Sequence, residues 1–423
     1  MNSYGSNGSL TGAARGGARR ARLALTIAGV VALACAGCTS PAAESSEATA
    51  TASAPGATRA SVEPPQPVKF TIAAAGDILP HDPLNQSAAA NGDLDYTPLL
   101  AGLDPWVKGA DLALCHMEAP VVPPGQEPSG YPMFAAPRKL VTDVAEQGWD
   151  GCSTASNHSV DRGFDGITAT LDALDEEGLG HVGTARKKSE RTPQVYTLAR
   201  EGREIDVAHL SATYGLNGLV VPEGKPWSVD LLDADRIIKE AKQARRDGAE
   251  LVVVSMHAGV EYTEDLTDQQ ETVTKRLAAS RKVDLIIGHH AHIPQRIARL
   301  DGGPDGKGMW VAYGLGNMIS NQSSECCDAR TSNGVLMTAT VTQAAPGKPA
   351  RVTAVKWTPT TVDRAAGHRL RALRDALSDP GKGTLPEAEL RARYAAVRDA
   401  VGDTAQERTK PPVPTGKPPA FSR

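Results

Sequence analysis

The feature that most constrains the fold is the alternation of short apolar runs with amphipathic helical segments. The runs that predict strands are residues 68–75, 111–116, 149–154, 205–211, 251–256, 283–287 and 309–313. Helical patterns are clearest at residues 164–177, 231–247 and 267–281. Continuous apolar strands separated by helices are typical of a largely parallel sheet that is covered on both faces. Residues 335–342 and 352–357 are predicted to close this α/β domain as further strands.

Most predicted strands end in side chains that can bind metal or take part in catalysis. These ends are Gly76-Asp77, His116-Met117-Glu118, Ser156-Asn157-His158, Ser255-Met256-His257, Gly288-His289-His290-Ala291-His292 and Gly314-Leu315-Gly316-Asn317. Ligands of open α/β sheets bind beyond the carboxyl ends of the strands. The six segments are therefore predicted to meet at one edge of the sheet.

The residue types at these ends predict a site for two divalent cations. Imidazole, carboxylate and amide oxygen together suit zinc, manganese or iron rather than calcium or copper(I). Two such ions about 3.5–4 Å apart can clamp both oxygens of an in-line displacement. One carboxylate must then bridge the ions, and neutral imidazoles complete their ligand sets.

Each of these motifs also has an ordinary structural interpretation. Asp77 after Gly76 could cap a helix or a turn, since Asp is a favoured N-cap residue. Asn157 and His158 could form a turn, because Asn tolerates left-handed geometry. A lone His257 is more often a structural histidine, whereas three imidazoles in four residues at positions 289–292 have little structural purpose.

The ordered set of motifs over residues 68–357 resembles the CapA family, which is associated with poly-γ-glutamate capsule synthesis. The matching segments are Gly76-Asp77, Met117-Glu118-Ala119-Pro120, Ser156-Asn157-His158 with Asp161, His257-Ala258-Gly259-Val260-Glu261-Tyr262, Gly288-His289-His290-Ala291-His292 and Tyr313-Gly314-Leu315-Gly316-Asn317. The resemblance implies a calcineurin-like, metallophosphoesterase-type α/β fold. A layered sheet sandwich flanked by helices is expected, as a single main domain over residues 68–360.

The resemblance also implies roles for individual residues. The implied metal ligands are Asp77, Glu118 in the bridging position, Asn157, His257, His290 and His292. His158 would act as proton donor or oxyanion stabiliser beside the scissile bond, held by Asp161. The implied cofactors are two divalent ions, Mn, Zn or Fe.

The sequence departs from the family pattern at several positions. Asp77-Ile78-Leu79 replaces the usual Asp-x-His opening of metallophosphoesterases, so that one imidazole is missing; His81 is a candidate substitute. Glu118 stands where many metallophosphoesterases have Asp, and His116 replaces a usual Asn. The His-x-His spacing favours His290 and His292 as ligands and leaves His289 as a neighbour.

The N-terminal region predicts export. Four arginines without a nearby acid precede an apolar stretch at residues 23–37, and small residues lead into Cys38. This is the arrangement of a secretory signal. Its Ala-Gly-Cys end resembles a lipobox, so residues 1–37 are predicted to be a lipoprotein signal peptide with lipidation at Cys38. An uncleaved membrane anchor is the alternative; either way an extracytoplasmic, membrane-tethered domain is expected.

Composition supplies the remaining boundaries. Residues 38–67 are rich in Ser, Thr, Ala and Pro and predict a disordered stalk. Residues 361–408 predict a charged helical segment, and the Pro- and Lys-rich residues 409–423 predict a disordered tail. Cys115 and Cys152 are expected to be small buried residues, and pairing of the cysteines stays open. The formal charge of −4 gives no reason to expect nucleic acid as a partner.

Two functional hypotheses of different classes follow. The first is a cell-surface metal-dependent hydrolase acting on a phosphoester or on an anionic surface polymer, of which γ-linked polyglutamate is the one that the resemblance implies. The second is a non-enzymatic lipoprotein component of a polymer synthesis and export assembly, which the missing imidazole at Leu79 favours.

Overall fold

The structure is a computed structural model and describes residues 65–422. Its strands are β1 (Val68–Leu79), β2 (Leu112–Met117), β3 (Gly151–Ser153), β4 (Gly180–Val182), β5 (Gln194–Arg200), β6 (Arg203–Thr213), β7 (Leu251–His257), β8 (Leu285–His289), β9 (Ile297–Leu300), β10 (Met309–Ala312), β11 (Asn317–Ser320), β12 (Asn333–Gln343), β13 (Ala350–Asp363), β14 (Arg369–Ala372), β15 (Gln406–Glu407) and β16 (Ala420–Ser422). Its α-helices are α1 (Asp82–Ala88), α2 (Thr97–Leu100), α3 (Asp104–Lys108), α4 (Lys139–Gln147), α5 (Gly163–Glu176), α6 (Ala234–Arg246), α7 (Asp268–Ser280), α8 (Leu373–Ser378) and α9 (Glu387–Val401).

The strands form two sheets. The first sheet runs β14-β13-β12-β1-β2-β3-β4, with β11 beside β1 and β15 beside β13; the second runs β16-β5-β6-β7-β8-β10-β9. Neighbours are parallel from β1 to β4 and from β6 through β8 to β10. The strands predicted from the sequence are confirmed. The expectation of one largely parallel sheet is wrong, because there are two sheets, both with antiparallel flanks.

Strand periodicity explains how the two sheets pack. In β1, Phe70, Ile72 and Ala74 lie in a core cluster that includes residues from both sheets, whereas Ala73 and Ala75 lie in the cluster formed with α1–α5. Successive side chains of a strand point to opposite faces. A third cluster joins α6 and α7 to the outer face of the second sheet. The predicted sheet sandwich flanked by helices is therefore confirmed.

The C-terminal residues differ from the expected disordered tail. β16 pairs with β5, and the backbone N–H and hydroxyl of Thr415 donate to Asp111 at 2.6 and 2.8 Å. The predicted helical segment before the tail contains α8 and α9, but also β14 and β15. Specific pairing, which composition does not encode, holds the tail against the domain.

The described residues contain two disulfides. Cys115 and Cys152 are buried, as expected, and form a disulfide between β2 and β3; a second disulfide joins Cys326 and Cys327. None of the helices between residues 65 and 422 has the length and apolar character that a membrane span requires. The predicted signal peptide, Cys38 and most of the predicted stalk lie outside the described residues.

Candidate metal centre

The carboxyl ends of five strands from both sheets, β1, β2, β3, β7 and β8, meet in one cluster that contains Asp77. Asp77 lies in β1 and is fully buried; its Oδ1 is 3.1 Å from His289 Nδ1 at the end of β8. The backbone N–H of His290 donates to Asp77 Oδ2 at 3.1 Å, and His292 Nδ1 lies 3.3 Å from the same oxygen. Burial alone would raise the pKa of Asp77, but hydrogen bonds from His289 and His292 hold it well below its usual value.

Glu118 follows β2 and lies between the imidazoles of the second sheet. Its Oε1 is 3.7 Å from both His257 Nε2 and His292 Nε2. Among residues 65–422, neither of its buried carboxylate oxygens has a hydrogen-bond partner. Burial raises the pKa of Glu118 well above its usual value. Buried polar atoms are normally satisfied, so this carboxylate is a strong candidate for a cation ligand.

Asn157 and His257 form the next part of the cluster. Asn157 Oδ1 lies 2.7 Å from His257 Nε2, and His257 Nδ1 lies 2.9 Å from His116 Nε2. Ser153 fixes the other ring nitrogen of His116 at 2.8 Å. Burial lowers the pKa of both His116 and His257, so their rings are neutral, which is the state that ligates metal.

His158 stands at the edge of the cluster with Asp161. Its Nδ1 lies 2.7 Å from Asp161 Oδ2, which also accepts a hydrogen bond from the backbone N–H of Phe134. The Phe134 ring contacts His158 edge-on at a centroid distance of 4.8 Å. The second ring nitrogen, Nε2, lies 3.5 Å from Asn217 Nδ2. Asp161 thus fixes the orientation of the imidazole and leaves Nε2 facing Asn217.

The loop after β8 carries unusual backbone geometry. His290 and His292 have φ of 89° and 57°, in the left-handed region that favours glycine. Such strain is found preferentially at functional sites, where surrounding contacts hold it in place. His292 Nδ1 also lies 3.1 Å from Asn317 Oδ1, and Gln322 and the Thr331 carbonyl orient the Asn317 amide.

Ligand atoms gather closely enough to hold cations. Four groups each have their atoms within 4.8 Å of one another: Asp77, His116 and His289; Glu118, His257 and His290; Asp77, Glu118 and His292; Glu261, His290 and His292. Within the described chain, four buried atoms of these groups have no hydrogen-bond partner, which also favours a bound cation. They are Glu118 Oε1 and Oε2, His289 Nε2 and His290 Nδ1. The cluster is compatible with divalent metal binding.

The structure therefore brings together all six side chains predicted as ligands, with His158 and Asp161 beside them. His81 does not join any of the four ligand groups, and its Nδ1 lies 3.0 Å from the Leu79 carbonyl. His289, expected to be only a neighbour, contacts Asp77 directly and stacks on His116 at 4.0 Å. Its position at the end of β8 explains the contact.

Sequence reasoning missed the contributions of Glu261 and Asn217. Glu261 lies in the loop after β7 and contacts His292. Its place in the segment at residues 257–262 that resembles the family was the one sequence feature that could have identified it. Asn217, with φ of 51°, accepts at 3.1 Å from Asn157 Nδ2. Nothing in the spacing of the loop after β6 identifies it.

The structure thus has two packed sheets with outer helices, and an Asp, Glu and His cluster beyond the strand ends. The family model described as bacterial capsule synthesis protein PGA_cap matches residues 71–322, more than half of the chain. The chain belongs to this family.

Curated relatives share moderate identity. The chain is 27% identical over 263 residues to the capsule biosynthesis protein CapA of Bacillus anthracis, covering 60% of each chain. It is 26% identical over 170 residues to the PGA biosynthesis protein CapA of Bacillus subtilis, covering 40% of this chain and 42% of that one. A probable polyglutamine synthesis accessory protein of Mycobacterium tuberculosis is 25% identical over 40% of this chain and 45% of its own length. The chain thus spans 60% or less of these relatives.

Solved structures include more distant matches. The NAD nucleotidase of Haemophilus influenzae has a TM-score of 0.46 at 14% identity, covering 80% of this chain and 65% of that one. A 5′-nucleotidase precursor from Thermus thermophilus has a TM-score of 0.44 at 15% identity, covering 78% and 58%.

Proposed function

We propose that this protein is an exported lipoprotein, anchored through Cys38 at the outer face of the cell membrane, with a two-metal hydrolase-type site. Its substrate would be an anionic surface polymer of the poly-γ-glutamate type, which it would process during synthesis or export. Family membership and the names of the capsule-related relatives support the polymer. The strand-end cluster supports the chemistry.

The donor set fits two adjacent cation positions that share Glu118. Asp77, Glu118 and His292 would hold the first ion, and Glu118, Asn157, His257 and His290 the second. The mixture of carboxylate, amide and imidazole suits Mn, Zn or Fe. Such ions would supply Lewis acidity, which polarises substrate oxygens and lowers the pKa of water.

His158 would act as a general acid and donate a proton to the leaving group. Its contact with Asp161 keeps Nδ1 engaged, so that Nε2 is the atom available to the substrate. The carboxylate of Asp161 would also stabilise the imidazolium form of the ring. General acid catalysis of this kind contributes about 10²–10⁴-fold to the rate.

The buried Glu118 carboxylate, which has no hydrogen-bond partner between residues 65 and 422, is the observation that carries the proposal. The test is metal content of the purified domain after Mn²⁺ and Zn²⁺ loading, followed by assays with phosphodiester and γ-glutamyl substrates. We expect about two ions per chain and turnover that falls about 10²–10⁴-fold in His158→Ala. The matched control is His181→Ala, which removes another His–Asp contact, to Asp175 at 3.2 Å. Equal turnover of the His158 variant and the wild type would refute the role of His158.

A second candidate function is a non-enzymatic component of a polymer synthesis and export assembly. The buried Leu79 at the position of the missing imidazole favours it. In that case, the loaded domain would bind substoichiometric metal and show no turnover on either substrate. A metallophosphoesterase acting on another cell-surface ester would instead bind metal and cleave only phosphodiesters.

A further inference from the structure

The first cation position has fewer protein donors than the second. Asp77, Glu118 and His292 gather there, whereas Glu118, Asn157, His257 and His290 surround the other. The strand residue that would supply a fourth donor is Leu79, which is 1% exposed and lies in the apolar cluster under α1. A fourth donor must therefore come from another element.

Glu261 is a further carboxylate that lies beside His292 of this position. Its Oε1 lies 4.0 Å from His292 Nε2, the nitrogen that is also 3.7 Å from Glu118 Oε1. Its ligand atom also groups with those of His290 and His292. Glu261 comes from the loop after β7 in the second sheet.

Backbone and side-chain contacts fix the loop that presents Glu261. The N–H of the next residue, Tyr262, donates at 2.9 Å to the Ala291 carbonyl, which lies between His290 and His292. Arg330 donates to the Tyr262 carbonyl at 3.0 Å, and Gln322 donates to the Tyr262 hydroxyl at 3.3 Å. The loop is thus tied directly to the histidine loop that it would assist.

Glu261 differs from Glu264 of the same loop in its charged partner. Glu264 is paired with Arg330 at 2.6 Å, whereas Glu261 is paired with His292 of the cluster at 4.0 Å. Arg330 in turn also contacts Asp328. Glu264 is therefore neutralised by arginine, while Glu261 faces imidazole.

We propose that Glu261 is the fourth protein ligand of the first cation position. It would take the place of the histidine that the usual Asp-x-His opening has where this chain has Leu79. This assignment rests on the proposed function. The first position then has three carboxylates and one imidazole. The second has two imidazoles, one amide oxygen and the shared carboxylate. Oxygen-rich sets suit Mn²⁺, and imidazole suits Zn²⁺ better. The two positions are therefore unequal, with Mn²⁺ favoured at the first.

The test is calorimetric titration of the full-length, chelator-treated protein with Mn²⁺ and with Zn²⁺. Metal analysis after dialysis gives the number of bound ions. The wild type and Glu264→Gln should each bind two Mn²⁺ per chain. Glu261→Gln and Glu261→Ala should bind one Mn²⁺ at least ten-fold more weakly and leave the other unchanged. Glu261→His should keep two ions but shift the Mn²⁺-over-Zn²⁺ preference of one position at least ten-fold towards Zn²⁺.

The outcomes separate this assignment from the function on which it rests. Circular dichroism of the metal-free variants should match the wild type, since the Glu261 side chain is 39% exposed. Two Mn²⁺ bound with wild-type affinity by both Glu261→Gln and Glu261→Ala would overturn the ligand assignment alone. A wild-type domain that binds no divalent ion would overturn the two-metal site and the assignment together.

Discussion

Two buried charged groups lie at opposite ends of β2, and they are satisfied in opposite ways. Asp111 precedes the strand, and its carboxylate accepts from Arg200, Thr415 and Thr71 at 2.6–3.1 Å. Glu118 follows the strand, and in the described chain its carboxylate oxygens have no hydrogen-bond partner. Both side chains are fully buried.

The difference separates a charge with a structural role from a carboxylate that is compatible with cation binding. A buried carboxylate is costly unless it is paired. At Asp111 the protein supplies the pairing from β5 and from the C-terminal tail. At Glu118 it supplies imidazoles at 3.7 Å instead, an arrangement that leaves the oxygens open for cations. The following predictions test this contrast, from the largest expected effect to the smallest.

Arg200→Met should lower the free energy of unfolding by about 3–5 kcal/mol, because it leaves Asp111 buried without its cation. The Arg200 side chain is only 2% exposed. Urea denaturation of the metal-free protein measures the change. Arg398→Met is the control, since its ion pair with Asp399 is exposed and should contribute less than about 1 kcal/mol. Equal effects of the two variants would contradict the structural role of the Asp111 pair.

Glu118→Gln should act in the opposite direction. In metal-free protein it should raise the free energy of unfolding by about 1–3 kcal/mol, because it replaces an unsatisfied buried acid by a neutral amide of similar shape. Added Mn²⁺ should then stabilise the wild type but not the variant. Denaturation with and without chelator measures both effects, with the exposed Glu127→Gln as control. A variant that is less stable without metal, or as responsive to Mn²⁺ as the wild type, would argue against the contrast.

Asp150→Asn tests the electrostatics of the Asp111 end. Burial and the nearby charge of Asp111 raise the pKa of Asp150 to about 7, although the Ala113 N–H donates to it. The folded state therefore keeps this proton to higher pH than the unfolded chain, and its stabilising contribution is lost as pH rises from about 4 to about 7. The full shift corresponds to about 4 kcal/mol, but Asp150 is only partly buried and solvent screening reduces the effect. Over that range the free energy of unfolding of the variant should therefore rise by about 1–2 kcal/mol relative to that of the wild type. Parallel pH profiles of the two proteins would contradict the shifted pKa.

The sequence predicted the strands, the helices α5, α6 and α7 and the gathering of strand-end ligands, because each depends on local periodicity or on the carboxyl-end rule of parallel strands. Periodicity alone did not predict the split into two sheets; the sheet sandwich was expected only from the family resemblance. An apolar strand such as Leu251–His257 is buried on both faces whether helices or a second sheet cover it. Glu261 and Asn217 were missed because loop geometry, rather than spacing along the chain, brings them to the cluster.

The C-terminal tail was also not predictable, because its Pro- and Lys-rich composition does not encode its contacts with Asp111. A substitution in this tail gives the smallest expected effect. Thr415 donates to Asp111 at 2.8 Å and accepts from Arg200 Nε at 2.9 Å, so that one hydroxyl links both partners of the buried pair. Thr415→Val keeps the shape and the backbone N–H bond but removes both contacts. The free energy of unfolding should fall by about 1 kcal/mol, with metal affinity unchanged, and Thr415→Ser should restore it. A loss of Mn²⁺ binding in Thr415→Val would mean that the two ends of β2 are coupled, and the division between a structural and a functional charge would fail.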